Sequence, residues 1–303
     1  MLRWYEYVCE YLVLWVALAA VVGIFTPSHI GTLMSTTVPI QLFIMIFGIG
    51  LTLTLSDLVR AMSEFRIVGM ALLFQLLTIP TAGFLIYKFL EGDVAVGMAV
   101  IASTPSEITS SLMVYLSGGD VALGTTVMAS SILLYTFLTP LLIEWITGSS
   151  IAFEPLNMLF ELVFMVAIPL ILASTLRTKY SKIGKYHDAY PAISAIAVIV
   201  LIFTVSANAV GIITFGLLLV YVPVCLILNL WGYLSGYVIG KIMHLPPTTT
   251  RVFIFTNGMR EFGIGTAISL SFFNPAVAIA SAIYGIIMML TSATLTRLIR
   301  LDN

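Results

Sequence analysis

The chain has 303 residues, a formal net charge of −1, 60% hydrophobic residues and only 9% charged residues. A typical water-soluble domain carries about 25% charged residues, so this composition excludes an ordinary soluble globular protein. Runs of about 20 apolar residues, long enough to cross a bilayer as a helix, recur along the whole chain and predict an all-α polytopic membrane protein.

The apolar runs predict ten transmembrane helices. These spans fall near residues 9–26, 38–55, 67–90, 94–116, 121–147, 156–176, 191–209, 212–240, 247–271 and 275–298. The N-terminal stretch MLRWYEYVCEYLVLW has Glu6 and Glu10 ahead of its apolar run and no small-residue cleavage site. It is therefore typical of a first span and not of a removed signal peptide.

The positive charges predict how these spans are oriented. With ten spans both termini lie on one side of the membrane, and Lys88 is the only Lys or Arg expected on the other side. The residues on the terminal side are Arg3, Arg60, Arg66, Arg177, Lys179, Lys182, Lys185, Lys241, Arg251, Arg297 and Arg300. Because cationic loops stay in the cytoplasm, we expect both termini to be cytoplasmic in a plasma or inner cell membrane.

Polar residues inside the predicted spans recur with a shift of 154 positions. The matching pairs inside the spans are Gln75 with Asn229, Thr52 with Ser206, Thr54 with Asn208, and Glu107 with Glu261. Asp120 matches Asn274 at the turns that follow, and Ala122 matches Ala276. Polar residues are sparse in the spans, so we favour an internal repeat over chance matching. Residues 1–150 and 151–303 then hold five spans each, and an odd number gives the halves opposite orientations, as in many secondary transporters.

The same shift pairs two interruptions, one in span four and one in span nine. STPSE at 103–107 contains Pro105, which has no amide proton and breaks or kinks a helix. TNGMRE at 256–261 contains the turn-type dipeptide Asn257-Gly258. Paired breaks in corresponding spans predict a substrate or ion site near the middle of the bilayer, because unwound backbone in lipid must bind something or line a wet cavity.

Three charged residues fall at these breaks, namely Glu107, Arg260 and Glu261. A charge in the middle of the membrane costs at least about 2.5–3.5 kcal/mol, so such residues face a cavity or pair with one another. Arg260 is expected to pair with Glu107, and this ion pair either only fixes the helix crossing or belongs to an anion-binding or proton-carrying site. The other candidate binding residues are Gln75, Thr104, Ser106, Thr109, Ser110, Ser111, Asn229, Thr256, Asn257 and Met259. For each hydroxyl taken alone, helix packing is the alternative role.

Three stretches resemble the bile acid:sodium symporter family. SSLMVYLSGGDVALGTTVMASSILLYTFLTPLL at 110–142 carries the YLxxGDVAL turn and the TPLL end typical of that family. GIGLTLTLSDLVRAM at 48–62 resembles the family's second span, and NGMREFGIGTAI at 257–268 lies where the family has EVGMQNSGLAAAL. The match covers nearly the whole chain in order and in number of spans. Arsenite and auxin-efflux carriers share the architecture but match the motif less well.

The resemblance implies ten helices in two inverted repeats, with a panel domain (spans 1, 2, 6 and 7) and a core domain (spans 3–5 and 8–10). Spans four and nine would cross at their breaks, and the substrate would lie between the domains. The resemblance also implies sodium symport of an organic anion by alternating access. We therefore expect a secondary transporter for a bile-acid-like molecule or a smaller carboxylate or sulfonate in the lipid bilayer, with no cofactor, nucleic acid or obligate protein partner.

Several positions depart from the sodium site that the resemblance implies. The family's Ser-Asn pair corresponds here to Ser110-Ser111, and its two later hydroxyl residues correspond to Gly124 and Met128. The glutamate that bridges the family's sodium sites corresponds to Thr256, and the family's glutamine corresponds to Arg260. Only Gln75 keeps its family identity. Any sodium ion would lie near Gln75, Ser110, Ser111 and Thr256, beside a fixed cation. The alternative expectation is that Arg260 replaces bound sodium, with Glu107 or Glu261 as its counter-charge. The carrier would then be proton-coupled or independent of ions.

Two other classes of function fit the sequence less well. An intramembrane enzyme needs a nucleophile–base pair or metal ligands at helical spacing, and the chain has no CxxC, HExxH or P-loop motif. A receptor-like protein needs a segment that signals, and the predicted tails are only a few residues long. We therefore expect a protein that is not an enzyme.

Overall fold

The computed structural model of the protein describes residues 3–56, 59, 64–148, 153–180, 189–209, 212 and 214–301. Arg60, Lys182 and Lys185, which contribute to the predicted orientation, lie outside the described residues. The described part of the chain is all-α, and no β-strand occurs in it beyond a single isolated bridge.

The first eight helices are α1 (Trp4–Glu10), α2 (Leu12–Ile24), α3 (Ser28–Ser35), α4 (Val38–Gly50), α5 (Phe65–Phe89), α6 (Gly92–Ala102), α7 (Ser110–Leu116) and α8 (Val121–Thr147). The next seven are α9 (Pro155–Leu162), α10 (Ile168–Lys179), α11 (Tyr190–Asn208), α12 (Phe215–Ile242), α13 (Pro247–Gly258), α14 (Phe262–Phe272) and α15 (Pro275–Leu301). A π-helical turn at Val163–Ala167 joins α9 to α10.

Six helices in the described residues are long and apolar enough to cross a membrane: α5, α8, the α9–α10 unit, α11, α12 and α15. The pair of α3 and α4, bent by 56°, would make a seventh if it counts as one span. The protein therefore has the helices of a polytopic membrane protein. The predicted spans four and nine are each divided into two short helices, which is why neither reaches spanning length as a single helix.

The helices pack in two groups that meet beside the start of α14. In one group α11 packs on α2 and α4, and α10 packs on α4. In the other, α12 packs on α13, α14 packs on α15, and α6 packs on both α5 and α15. Because α14 also contacts α4 and α11, the N-terminal end of this half-helix faces the boundary between the groups.

Small residues let α12 and α13 approach closely. Gly232, Gly236 and Gly240 recur every fourth residue on the side of α12 that faces α13. A Cβ atom added at Gly236 would collide with the backbone carbonyl of Phe253, and one at Gly240 would collide with Thr250. Such small-residue stripes are how helices pack in lipid, where there is no hydrophobic drive between them. This contact fixes α13, and with it the second break, against a long helix.

The SGGD turn forms the connection between the fourth and fifth predicted spans. Gly118 has a φ of 76°, a left-handed conformation that glycine adopts without steric cost. Asp120 then caps α8, because its side chain accepts a hydrogen bond from the backbone N–H of Leu123 at 3.0 Å.

Both predicted helix breaks are present in the structure. α6 ends at Ala102 and α7 begins at Ser110, with Pro105 between them. α13 ends at Gly258 and α14 begins at Phe262. The backbone groups that these breaks release must find partners within the protein, because none are available in lipid.

Candidate functional site

The two breaks meet and pair through their backbones, in a segment that we call the crossing (residues 105–107 and 259–261). The N–H of Glu107 donates to the carbonyl of Met259 at 2.9 Å, and the N–H of Glu261 donates to the carbonyl of Pro105 at 2.9 Å. These two bonds form an antiparallel bridge centred on Ser106 and Arg260. The unwound backbone of each break therefore satisfies the other.

Glu107 and Glu261 form a carboxyl pair on one face of the crossing. Both carboxyl groups line one cavity and are close enough to interact electrostatically. Glu107 is 4% exposed and Glu261 is 1% exposed. The Oε2 atom of Glu261 accepts a hydrogen bond from the backbone N–H of Ile108 at 3.3 Å, whereas Oε1 of Glu261 and Oε2 of Glu107 have no partner among the described residues.

A cavity of about 110 Å³ opens onto this carboxyl pair. It lies between the crossing and the helices α2, α4 and α11, which contribute Leu12, Met45 and Ser194. Glu107, Thr109 and Glu261 supply most of its polar lining, and the remaining walls are largely apolar. Pockets of this kind, apolar with a few convergent polar groups, are typical of small-molecule sites.

Arg260 lies on the opposite face of the crossing. The bridge is extended, and successive side chains of an extended segment point to opposite sides. The guanidinium carbon is 4.8 Å from the centroid of the Tyr135 ring, and Arg260 is completely buried. None of its three side-chain nitrogens has a hydrogen-bond partner among the described residues. The predicted ion pair of Arg260 with Glu107 or Glu261 is therefore absent from this structure, and a cation–π contact stands in its place.

Three of the predicted residues share one hydrogen-bond network beside Arg260. The hydroxyl of Ser131 donates to Oε1 of Gln75 at 2.8 Å and accepts from the backbone N–H of Ser106 at 2.9 Å. The hydroxyls of Ser106 and Ser110 are 3.3 Å apart and hydrogen-bonded. Because Ser131 lies one turn before Tyr135 on α8, this network adjoins the guanidinium of Arg260.

The positions predicted for sodium lie beside a buried positive charge. Sodium sites in transporters use carbonyl and side-chain oxygens of broken helices, and a nearby negative charge favours them. Here a buried arginine adjoins the network of Gln75 and Ser110. Thr256, which stands at the family's glutamate position, uses its hydroxyl to donate to its own helix at the carbonyl of Val252. Among the described residues no group of three or more His, Cys, Asp or Glu side chains is arranged to hold a metal ion.

Asn229 and Asn257 support the second break. The side-chain amide of Asn229 and the hydroxyl of Tyr284 each donate to the carbonyl of Gly258 at 2.8 Å, which satisfies the end of α13. The amide of Asn257 donates to the hydroxyl of Ser235 at 2.7 Å. These amides hold the break in place and do not line the cavity.

The remaining predicted residues lie apart from the cavity. Thr104 and Ser111 donate to backbone carbonyls of their own segments, those of Ile101 and Ile108. Met259 is completely buried and contributes its backbone carbonyl to the crossing. The charged candidate residues therefore lie on two faces of the crossing, Glu107 and Glu261 on a carboxyl face and Arg260 on an arginine face.

Ser131 and Tyr135 were not predicted. Both are fully buried on α8, where Ser131 links Gln75 to Ser106 and Tyr135 lies against Arg260. The sequence carries a weak signal for them, because they are polar residues four positions apart on one face of an apolar helix.

Comparisons with known proteins give one consistent result. The sequence profile of the family described as "Sodium Bile acid symporter family" matches residues 39–214. The chain is 28% identical over 278 residues to the "Uncharacterized sodium-dependent transporter YocS" of Bacillus subtilis, covering 90% of this chain and 85% of that protein. It is 27% identical over 290 residues to the "Probable sodium/metabolite cotransporter BASS1, chloroplastic" of Arabidopsis thaliana, covering 93% and 72% respectively. It is 28% identical over 218 residues to the human "Sodium/bile acid cotransporter 4", covering 68% and 49%.

Proposed function

This chain belongs to the sodium bile acid symporter family, and we propose that it is a secondary transporter that moves a small organic solute across a cell membrane by alternating access. The observation that carries this proposal is the crossing of two broken helices beside a cavity that lies between two groups of helices. A site at such a boundary can open to either side of the membrane when one group moves against the other.

We propose that the chain forms ten membrane helices in two inverted repeats. The helix bounds support this arrangement, because moving Val121–Thr147 by 154 positions gives 275–301, the bounds of α15. The same shift relates the two hydrogen bonds of the crossing to each other, since Pro105 corresponds to Met259 and Glu107 to Glu261. The bond from Glu107 to Met259 is therefore the counterpart of the bond from Glu261 to Pro105. An antiparallel bridge between equivalent residues is what a two-fold axis in the membrane plane would produce.

The two groups of packed helices correspond to the proposed panel and core domains. α2, α4, α10 and α11 would form the panel, and α5–α8 with α12–α15 would form the core. Both termini would be cytoplasmic in a plasma or inner cell membrane, because of the excess of Lys and Arg on their side.

For the coupling ion, we favour protons over sodium. Arg260 would supply a permanent positive charge in place of sodium, next to the network of Gln75, Ser106 and Ser110. On the other face, two adjacent carboxylates in a nearly dry site repel each other strongly, so the carboxyl pair is expected to hold a shared proton. Release of this proton on one side of the membrane would couple the cavity to the proton gradient.

Sodium symport is the second candidate, because the named relatives are described as sodium-dependent or sodium/metabolite carriers. That mechanism would require an ion to bind close to a buried arginine. The two candidates differ in which gradient drives accumulation of the solute.

The substrate class follows from the residues that line the cavity. The resemblance implied an organic anion, and Arg260 was a candidate anion-binding residue, but the lining of the cavity does not include Arg260. We therefore propose a small organic solute whose charge complements the carboxyl pair.

The transport experiment uses the purified protein in liposomes. Uptake of labelled small carboxylates and amines would be measured with an imposed sodium gradient, an imposed pH gradient and neither, against protein-free liposomes. We expect accumulation of at least one solute that requires the pH gradient, persists without sodium and is abolished by Glu261→Gln. Glu144→Gln, an exposed carboxylate on α8, is the matched control. Accumulation driven only by sodium would overturn the proposed coupling, and no gradient-driven or exchange transport of any solute would overturn the transporter proposal.

A further inference from the structure

The cavity next to the crossing presents negative charge without a compensating positive charge. Among the residues that the structure describes, Glu107 and Glu261 are the titratable groups of its lining. One carboxyl oxygen of each glutamate has no partner among the described residues, although both side chains are more than nine-tenths buried. Unpartnered buried acceptors of this kind are costly unless a donor from a ligand reaches them.

One backbone donor that could hold an anion is already occupied. At broken helices, the N–H groups at the start of a half-helix point at anionic ligands. Here the N–H of Ile108, just ahead of α7, donates to Oε2 of Glu261 at 3.3 Å. An anion entering the cavity would find this donor taken and would meet two carboxyl groups.

The rest of the lining indicates an apolar body for the ligand. Met45, Ile49 and Phe262 are among the apolar side chains that surround the pair, and the hydroxyls of Thr109 and Ser194 are the other polar groups of the lining. A cavity of about 110 Å³ has room for only a few non-hydrogen atoms in this state of the protein. The fitting ligand has a small hydrocarbon skeleton and one cationic end.

We propose that this cavity binds a protonated amine on a small apolar skeleton, with Glu107 and Glu261 as the ligands of its ammonium group. Movement of this ligand across the membrane rests on the proposed transport function, whereas its binding does not. The ammonium group donates N–H bonds to the unpartnered oxygens of both carboxylates. As it binds, the proton shared by the pair leaves to water. One positive charge replaces another, and the result is exchange of an organic cation for a proton at a single site.

Arg260, the positive charge of the crossing, lies against Tyr135 and is not part of the cavity lining. The charged groups that face the ammonium site from the surrounding helices are therefore only Glu107 and Glu261 among the described residues. Protons should compete with the amine for these two groups. Binding of an amine that stays protonated is expected to strengthen as the pH is raised from 5 to 8.

The binding experiment compares ligands that share a skeleton and differ in charge. Primary alkylamines from ethylamine to octylamine, with benzylamine, are titrated into the purified full-length protein in potassium buffer at fixed ionic strength. The alcohols and carboxylates of the same skeletons are the controls, and the thermal unfolding temperature is the readout, because a ligand of the folded state raises it. We expect at least one amine to bind at least about tenfold more tightly than its alcohol and carboxylate. A carboxylate that binds as tightly as the matching amine, or the absence of any amine effect, overturns the proposal.

Isosteric variants assign the effect to the pair. Glu107→Gln and Glu261→Gln should each weaken amine binding by about tenfold or more, whereas Glu144→Gln should leave it unchanged. If either glutamine variant fails to fold, proton competition in the wild type is the deciding measurement, and amine affinity that is constant between pH 5 and 8 overturns the proposal. Amine binding without any transport in liposomes would contradict the proposed function alone. Transport of a carboxylate by a protein that binds no amine would contradict only this inference.

Discussion

Substitution of Arg260 by methionine tests how the buried charge is stabilised. The guanidinium is completely buried, has no hydrogen-bond partner among the described residues and lies 4.8 Å from the Tyr135 ring centroid. A desolvated cation–π contact contributes about 2 kcal/mol, which offsets only part of the several kcal/mol that burial of a charge costs. We expect Arg260→Met to leave the free energy of unfolding unchanged or to raise it by up to about 4 kcal/mol.

The assay is equilibrium unfolding in detergent, applied to a double-mutant cycle of Arg260→Met and Tyr135→Leu. The coupling energy of the two substitutions should be about 1–2 kcal/mol, since Tyr135 acts on the arginine through its ring. Tyr135→Phe keeps the ring and is the matched control. A loss of about 3–5 kcal/mol in Arg260→Met would instead be the mark of a broken buried ion pair and would refute this description of the arginine face.

Three further predictions follow from individual contacts. The double variant Thr256→Glu/Arg260→Gln restores two family-like ligands. Its unfolding temperature in 100 mM sodium should be a few degrees higher than in 100 mM potassium. Equal unfolding temperatures in the two salts would mean that these two positions alone do not make a sodium site. Ser131→Ala removes the link between Gln75 and Ser106 and should lower the free energy of unfolding by about 1–3 kcal/mol. The control Ser130→Ala, on the same helix, should lower it by well under 1 kcal/mol. Equal losses in the two variants would show that the network contributes nothing to stability. Gly236→Val places side-chain atoms against the Phe253 carbonyl and should destabilise the protein by about 1–3 kcal/mol, and a variant as stable as the wild type would contradict the close approach of α12 and α13.

The sequence predicts the location of the breaks because polar residues and helix breakers are rare in an apolar chain. Pro105 and the Asn257-Gly258 dipeptide mark the two interruptions, and both interruptions are present in the structure. Six of the ten predicted spans are long apolar helices in the structure, and the membership of the family is confirmed.

The sequence does not reveal which way the charged side chains point. Arg260 and Glu261 are neighbours in sequence, and the ion-pair prediction placed their charges together. The crossing is extended, so its neighbours point to opposite faces, and Arg260 meets Tyr135 while Glu261 meets Glu107. This outcome depends on the backbone conformation at the break and on Tyr135 of a distant helix, neither of which the local pattern specifies.

The orientation of these side chains also bears on the substrate that the resemblance implied. An arginine in the cavity would favour a carboxylate, whereas the carboxyl pair that lines it favours a cation. Resemblance to a family predicted an all-helical membrane protein with broken helices, while the charge of the cavity lining required the structure.

The most direct test of the central claim, that Arg260 takes the place of bound sodium, is the thermal stability of the wild-type protein in sodium, potassium and choline at fixed ionic strength. A ligand that binds only the folded state raises the unfolding temperature as its concentration rises. We predict equal unfolding temperatures in the three salts up to 200 mM. A rise that is specific to sodium and saturates in the millimolar range would contradict the claim and would show that the ion binds beside the arginine.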